Sequence, residues 1–63
     1  MSVKPLTTAL KCFDMLELVA GLPRPARLAE LARLAGESRA TTYQRLFTLT
    51  TAGWLERLPD DTY

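Results

Sequence analysis

A chain of 63 residues is one small domain, and a chain this short buries only about 60% of the surface its unfolded form exposes. Its composition is globular, 48% apolar and 24% charged, and eight Lys+Arg against seven Asp+Glu leave a net charge of +1, which excludes a polybasic or an acidic tail. With no His and one Cys, the chain holds no internal disulfide, no Cys/His zinc site, no Cys–His pair and no Ser–His–Asp triad. The three glycines lie far apart and make no phosphate-cradling loop, so neither an enzyme nor a metal or cofactor site is expected. No apolar run approaches the ~20 residues that span a bilayer, and the N-terminus lacks the apolar core of a signal peptide. A reduced, soluble, cytoplasmic domain without a membrane partner is the expectation.

The first predicted helix covers about residues 6–20. Pro5 suits its first turn, and Leu6, Ala9, Leu10, Phe13, Leu16 and Ala20 recur at spacings of three and four, which puts them on one inner face. Gly21 is a C-terminal stop, and Leu22-Pro23-Arg24-Pro25 cannot continue a helix. A second apolar strip, Cys12, Met15, Leu18 and Val19, makes the apolar arc wider than one small core needs and marks a contact for a partner.

A second helix is predicted over 28–35, with Leu28, Leu31, Ala32 and Ala35 inward, Glu30 and Arg33 outward, and Gly36 as its stop. Ser38 is an N-cap for a third helix over about 39–52. Its inner seam is only Thr42, Leu46 and Leu49, which leaves a broad polar face free to meet something else. After Gly53, Trp54–Leu58 alternates like a short strand, Pro59–Thr62 reads as a turn, and Tyr63 begins a returning strand. That strand requires an early partner segment or a longer chain. Trp54 is expected to close the gap between the first and third helices.

The second helix, a Gly-containing turn and the third helix form a helix-turn-helix, and the strand after it adds a wing. The fold expected over 1–63 is therefore a mainly α, three-helix winged helix-turn-helix with a short, truncated β-wing beginning at Trp54. In such a unit the third helix enters the major groove of duplex DNA. Charge placement agrees: Arg24, Arg27, Arg33, Arg39 and Arg45 against Glu30 and Glu37 give a local +3 across the second and third helices, and the remainder of the chain carries −2. The DNA-binding set is Arg27, Ser38, Arg39, Ala40, Thr41, Tyr43, Gln44 and Arg45. Gln44 and Thr41 are base readers, Arg39 and Arg45 phosphate anchors, and Arg27 meets a phosphate at the start of the second helix. The rival from another class is a winged helix used as a protein-interaction module, motivated by the modest net charge and an outward Phe47.

The segments LTTALKCFDMLELVA, LAELARLAG, ATTYQRLFTL and TAGWLERLPDDTY together resemble the N-terminal DNA-binding domain of IclR-type transcriptional regulators. The resemblance implies a repressor or activator that binds palindromic or repeated operator DNA as a dimer. It also implies a larger C-terminal domain for a small-molecule effector and for oligomerisation, with this chain a fragment lacking that domain. A homodimer or higher oligomer through the strip of Cys12, Met15, Leu18 and Val19 follows from the same resemblance. The chain departs from the family pattern at Arg27, where a capping Ser or Thr is usual, at Gln44, where Arg is common, and at Arg45, where an apolar residue is common.

Overall fold

The computed structural model describes residues 2–63, and three helices organise them: α1 (Thr7–Gly21), α2 (Leu28–Ala35) and α3 (Arg39–Thr51). The core lies where the three meet. Met15, Ala26, Leu31, Leu46 and Leu49 form its centre, and Cys12, Leu16, Leu18, Val19, Leu22, Leu28, Leu55 and Tyr63 pack around them. From α3, only the expected seam of Thr42, Leu46 and Leu49 is buried.

The boundaries follow local chemistry. Ser38 is extended, and its hydroxyl accepts a hydrogen bond from the Thr41 amide at 3.1 Å, capping α3 as expected. Gly36 closes α2 in the left-handed conformation, φ 69°, while its amide donates to the Arg33 carbonyl and the Glu37 amide to the Ala32 carbonyl. That pairing satisfies carbonyls the helix end would otherwise leave open. Gly21, expected to stop α1 in the same way, is instead its last helical residue. The helix ends because Leu22, held extended before Pro23, cannot take the helical conformation.

α1 is rotated relative to the sequence expectation. Met15 is 2% exposed, and Cys12, Leu18 and Val19 pack against the core, so the strip assigned to a dimer contact is the helix's inner face. Leu6, Leu10 and Phe13, assigned to the core, are exposed, Phe13 by 56%. Because α1 is apolar around much of its circumference, its periodicity permits either face inward. The seam of α3 selects the one carrying Met15.

The segment after α3 also differs. Trp54–Leu58 forms no strand, and Trp54 is 69% exposed rather than a core aromatic. The amides of Trp54 and Leu55 both donate to the Leu49 carbonyl, and in that bend Leu55 is the residue packed on the core. Pairing occurs further on. Arg27 and Thr62 form an antiparallel bridge, and Ala26 and Tyr63 exchange two backbone hydrogen bonds of 2.9 and 3.2 Å. The early partner segment is thus the connection that precedes α2. A turn from Leu58 to Thr62 brings the chain back, with Pro59 presetting its first corner and Asp61 at φ 63°, a conformation Asp tolerates.

Two outcomes follow from this packing. The Thr42 hydroxyl is fully buried and has no hydrogen-bond partner, which leaves its desolvation uncompensated. Thr42→Val keeps the shape and removes the polar atom. It raises the stability by about 1 kcal/mol, seen as a higher urea midpoint at unchanged slope. In the turn, the Thr62 hydroxyl (2.6 Å) and amide (3.3 Å) donate to the Asp60 carboxylate, and chiefly the hydroxyl bond holds its pKa below the ordinary value. A lowered folded-state pKa stabilises the turn above the normal carboxylate pKa of about 4, and the contribution is lost as the pH falls through the depressed value. The Thr62 amide resonance therefore titrates with a midpoint below that of a free Asp, and Asp60→Asn removes the titration.

Candidate nucleic-acid interface

The starts of α2 and α3 lie on the same side of the molecule. Between them and the Leu58–Thr62 turn is a concavity of about 270 Å³ whose lining includes Arg27, Ala29, Arg39, Tyr43, Arg57 and Asp61. Arg27 is the residue before α2, and its side chain makes no cap. Glu30, the remaining half of a capping box, does not reach back to it either. Its carboxylate takes both guanidinium nitrogens of Arg24 at 3.0 Å, with Arg33 at 3.9 Å. The hydrogen bond from Arg24 is the main reason that the Glu30 pKa is lowered. The first amides of α2 are therefore left without a side-chain acceptor, at the end of the helix where the dipole is positive.

Internal pairing sorts the arginines. Arg24 and Arg33 share Glu30, Arg45 pairs with Glu37 at 3.2 Å, and Arg57 pairs with Asp61 at 2.7 Å. Arg27 and Arg39 are in no ion pair among the described residues, and both line the concavity. Arg45, expected as a free phosphate anchor, is half-buried with its charge engaged by Glu37. The basic cluster thus differs from the one read along the chain. It joins the N-termini of two helices with the turn, and Arg57 shares its charge with an acid that also faces the concavity.

Beside this cluster, α3 presents its free surface. Ala40, Tyr43, Gln44 and Phe47 are exposed, and Ser38 and Arg39 at the helix start are exposed as well. Thr41 is half-buried, and with Gln44, Arg45 and Thr48 it borders a second concavity, of about 460 Å³, against Thr8, Ala9 and Cys12 of α1. Tyr43 and Phe47 are one turn apart with ring centroids at 6.2 Å. The exposed large apolar residues of α1 are Leu10 and Phe13, preceded by Leu6, the residue before the helix, and Val3. Their spacing of three and four from residue 3 to residue 13 was the signal in the sequence that could have identified them as the free strip.

Among the described residues there is no group of three or more His, Cys, Asp or Glu placed to hold a metal ion, and no helix long and apolar enough to cross a membrane. The arrangement offers positive charge, open amides and an exposed helix face, which suit an extended polyanion.

Comparison with known proteins gives the same direction. The model of the IclR helix-turn-helix domain matches residues 8–59, most of the chain and all three helices except Thr7, the first residue of α1. No curated protein and no solved structure matches it. With its helix order, its capped third helix and this match, the chain belongs to the IclR helix-turn-helix domain family of DNA-binding transcription regulators.

Proposed function

We propose that this domain reads operator sequences in double-stranded DNA as a homodimer in the cytoplasm, with α3 lying in the major groove. The observation that carries the reading is the pair of arginines without internal partners, Arg27 and Arg39, which flank the open start of α2 beside the exposed face of α3. A phosphate seated in that concavity takes hydrogen bonds from both guanidinium groups, from the first amides of α2 and from the Tyr43 hydroxyl. Arg57 supports it at longer reach while paired with Asp61. The Ser38 hydroxyl, already accepting from Thr41, has its own proton to donate to a neighbouring phosphate. Anchored there, α3 offers Ala40, Thr41 and Gln44 to base edges, and the Gln44 amide matches adenine N6 and N7. Arg45 braces the turn between α2 and α3 through Glu37 and contributes to the field rather than to a direct contact.

The dimer contact belongs to the exposed strip of Val3, Leu6, Leu10 and Phe13. Lys4 lies at its N-terminal end and Asp14 just past its C-terminal end, so an antiparallel pair of these strips sets Lys4 of one copy against Asp14 of the other. Two weakly bound half-sites then act as one tighter site. The exposed Phe47 and Trp54 favour one second reading, a protein-interaction module.

Salt dependence separates the two. Affinity for duplex DNA falls steeply as salt rises, and Arg27→Ala or Arg39→Ala each reduces the slope of log K against log salt by about 1. Absence of duplex binding at low salt selects the interaction module. Selection of bound sequences from a random duplex pool yields a motif that Gln44→Ala relaxes at one position per half-site, at a cost of about 1–3 kcal/mol. Leu10→Asp with Phe13→Asp shifts sedimentation from dimer to monomer and leaves the helical circular dichroism intact. A dimer that survives both substitutions removes α1 from the interface.

A further inference from the structure

We infer that Phe47 is a specificity residue that selects a thymine by contact with its C5-methyl group, an inference that rests on the DNA reading above. Phe47 is 59% exposed and lies outside the core, so much of its side chain is kept in water. It shares a face of α3 with Ala40 and Gln44, and the series Ala40, Tyr43, Gln44, Phe47 has the spacing by which a helix lying in a groove reaches successive base pairs. The Tyr43 ring stands against it at 6.2 Å, tilted by 33°, which limits the directions the Phe47 ring can take. Tyr43 in turn lines the concavity with Arg27 and Arg39, so a backbone anchored there brings base edges to Phe47.

The chemistry around the ring is one-sided. Thr48, the next residue, spends its hydroxyl proton on the Gln44 carbonyl at 2.8 Å. No charged side chain lies among Ala40, Tyr43, Gln44, Phe47 and Thr48. The face therefore offers the Gln44 amide and the Tyr43 hydroxyl for hydrogen bonds, and the Phe47 ring, which carries no polar atom, for apolar contact. In the major groove the thymine methyl is the one apolar group that distinguishes a standard base. Three residues of helix advance about 4.5 Å, slightly more than one base-pair step. The thymine thus lies within two base pairs of the adenine that Gln44 takes.

The test replaces each thymine of the selected duplex singly with uracil, which deletes the methyl and keeps the pairing. Affinity is then measured for the native chain and for Phe47→Ala. At one thymine per half-site, within two base pairs of the Gln44-dependent adenine, uracil weakens native binding about fourfold, the worth of one buried methyl. The same replacement leaves Phe47→Ala binding unchanged. An equal uracil penalty in both proteins, or no uracil-sensitive position within that distance, overturns the inference while the Gln44 effect keeps the DNA reading intact. Failure of both proteins to bind any duplex at low salt overturns the reading and the inference together.

Discussion

The structure depends on how little of α3 has to be buried. Three side chains, Thr42, Leu46 and Leu49, are the only ones of α3 that are buried, Thr41, Arg45 and Thr50 are half-buried, and the rest of the helix is exposed. In a chain that can hide only a modest share of its surface, this economy leaves a whole helix face available. A wider apolar stripe would have fixed the helix more firmly and left less of its surface exposed. The orphaned Thr42 hydroxyl shows that even this narrow seam is not optimised for stability alone.

The fold was legible where local chemistry speaks without ambiguity. Ser38 and Gly36 marked the ends of α3 and α2, and the sparse apolar positions of α3 admitted only one inner face. α1 was not legible in the same way, because apolar residues surround it: Leu6, Leu10 and Phe13 make as regular a stripe as Cys12, Met15 and Val19, and only the shape of the opposing seam decides between them. The Trp54–Leu58 alternation misled for a different reason. A strand needs a neighbour for its backbone groups, and the available neighbour, Ala26–Arg27, lies opposite Thr62–Tyr63.

The candidate site was legible as a stretch of chain and not as a set of charges. Counting Arg against Glu from Arg24 to Arg45 marked a stretch that contains Arg27 and Arg39 but leaves out Arg57, which lines the same concavity. It could not say which arginines are already neutralised, because a pair such as Arg24 with Glu30, or Arg45 with Glu37, is set by the path of the chain between helices. Two of the three unspent positive charges in that stretch are Arg27 and Arg39, which are 12 positions apart in the sequence yet line one concavity; the third stays where Arg24 and Arg33 share Glu30.

The bridge between Arg27 and Thr62 joins the approach to α2 with the returning tail. Its backbone bonds tie the segment that bears Arg57 to the segment that bears Arg27, so two of the three basic arms around the concavity are mounted on one clasp. A ligand that settles between them meets a frame already assembled, and less freedom is surrendered on contact than if the tail had to be gathered in at that moment.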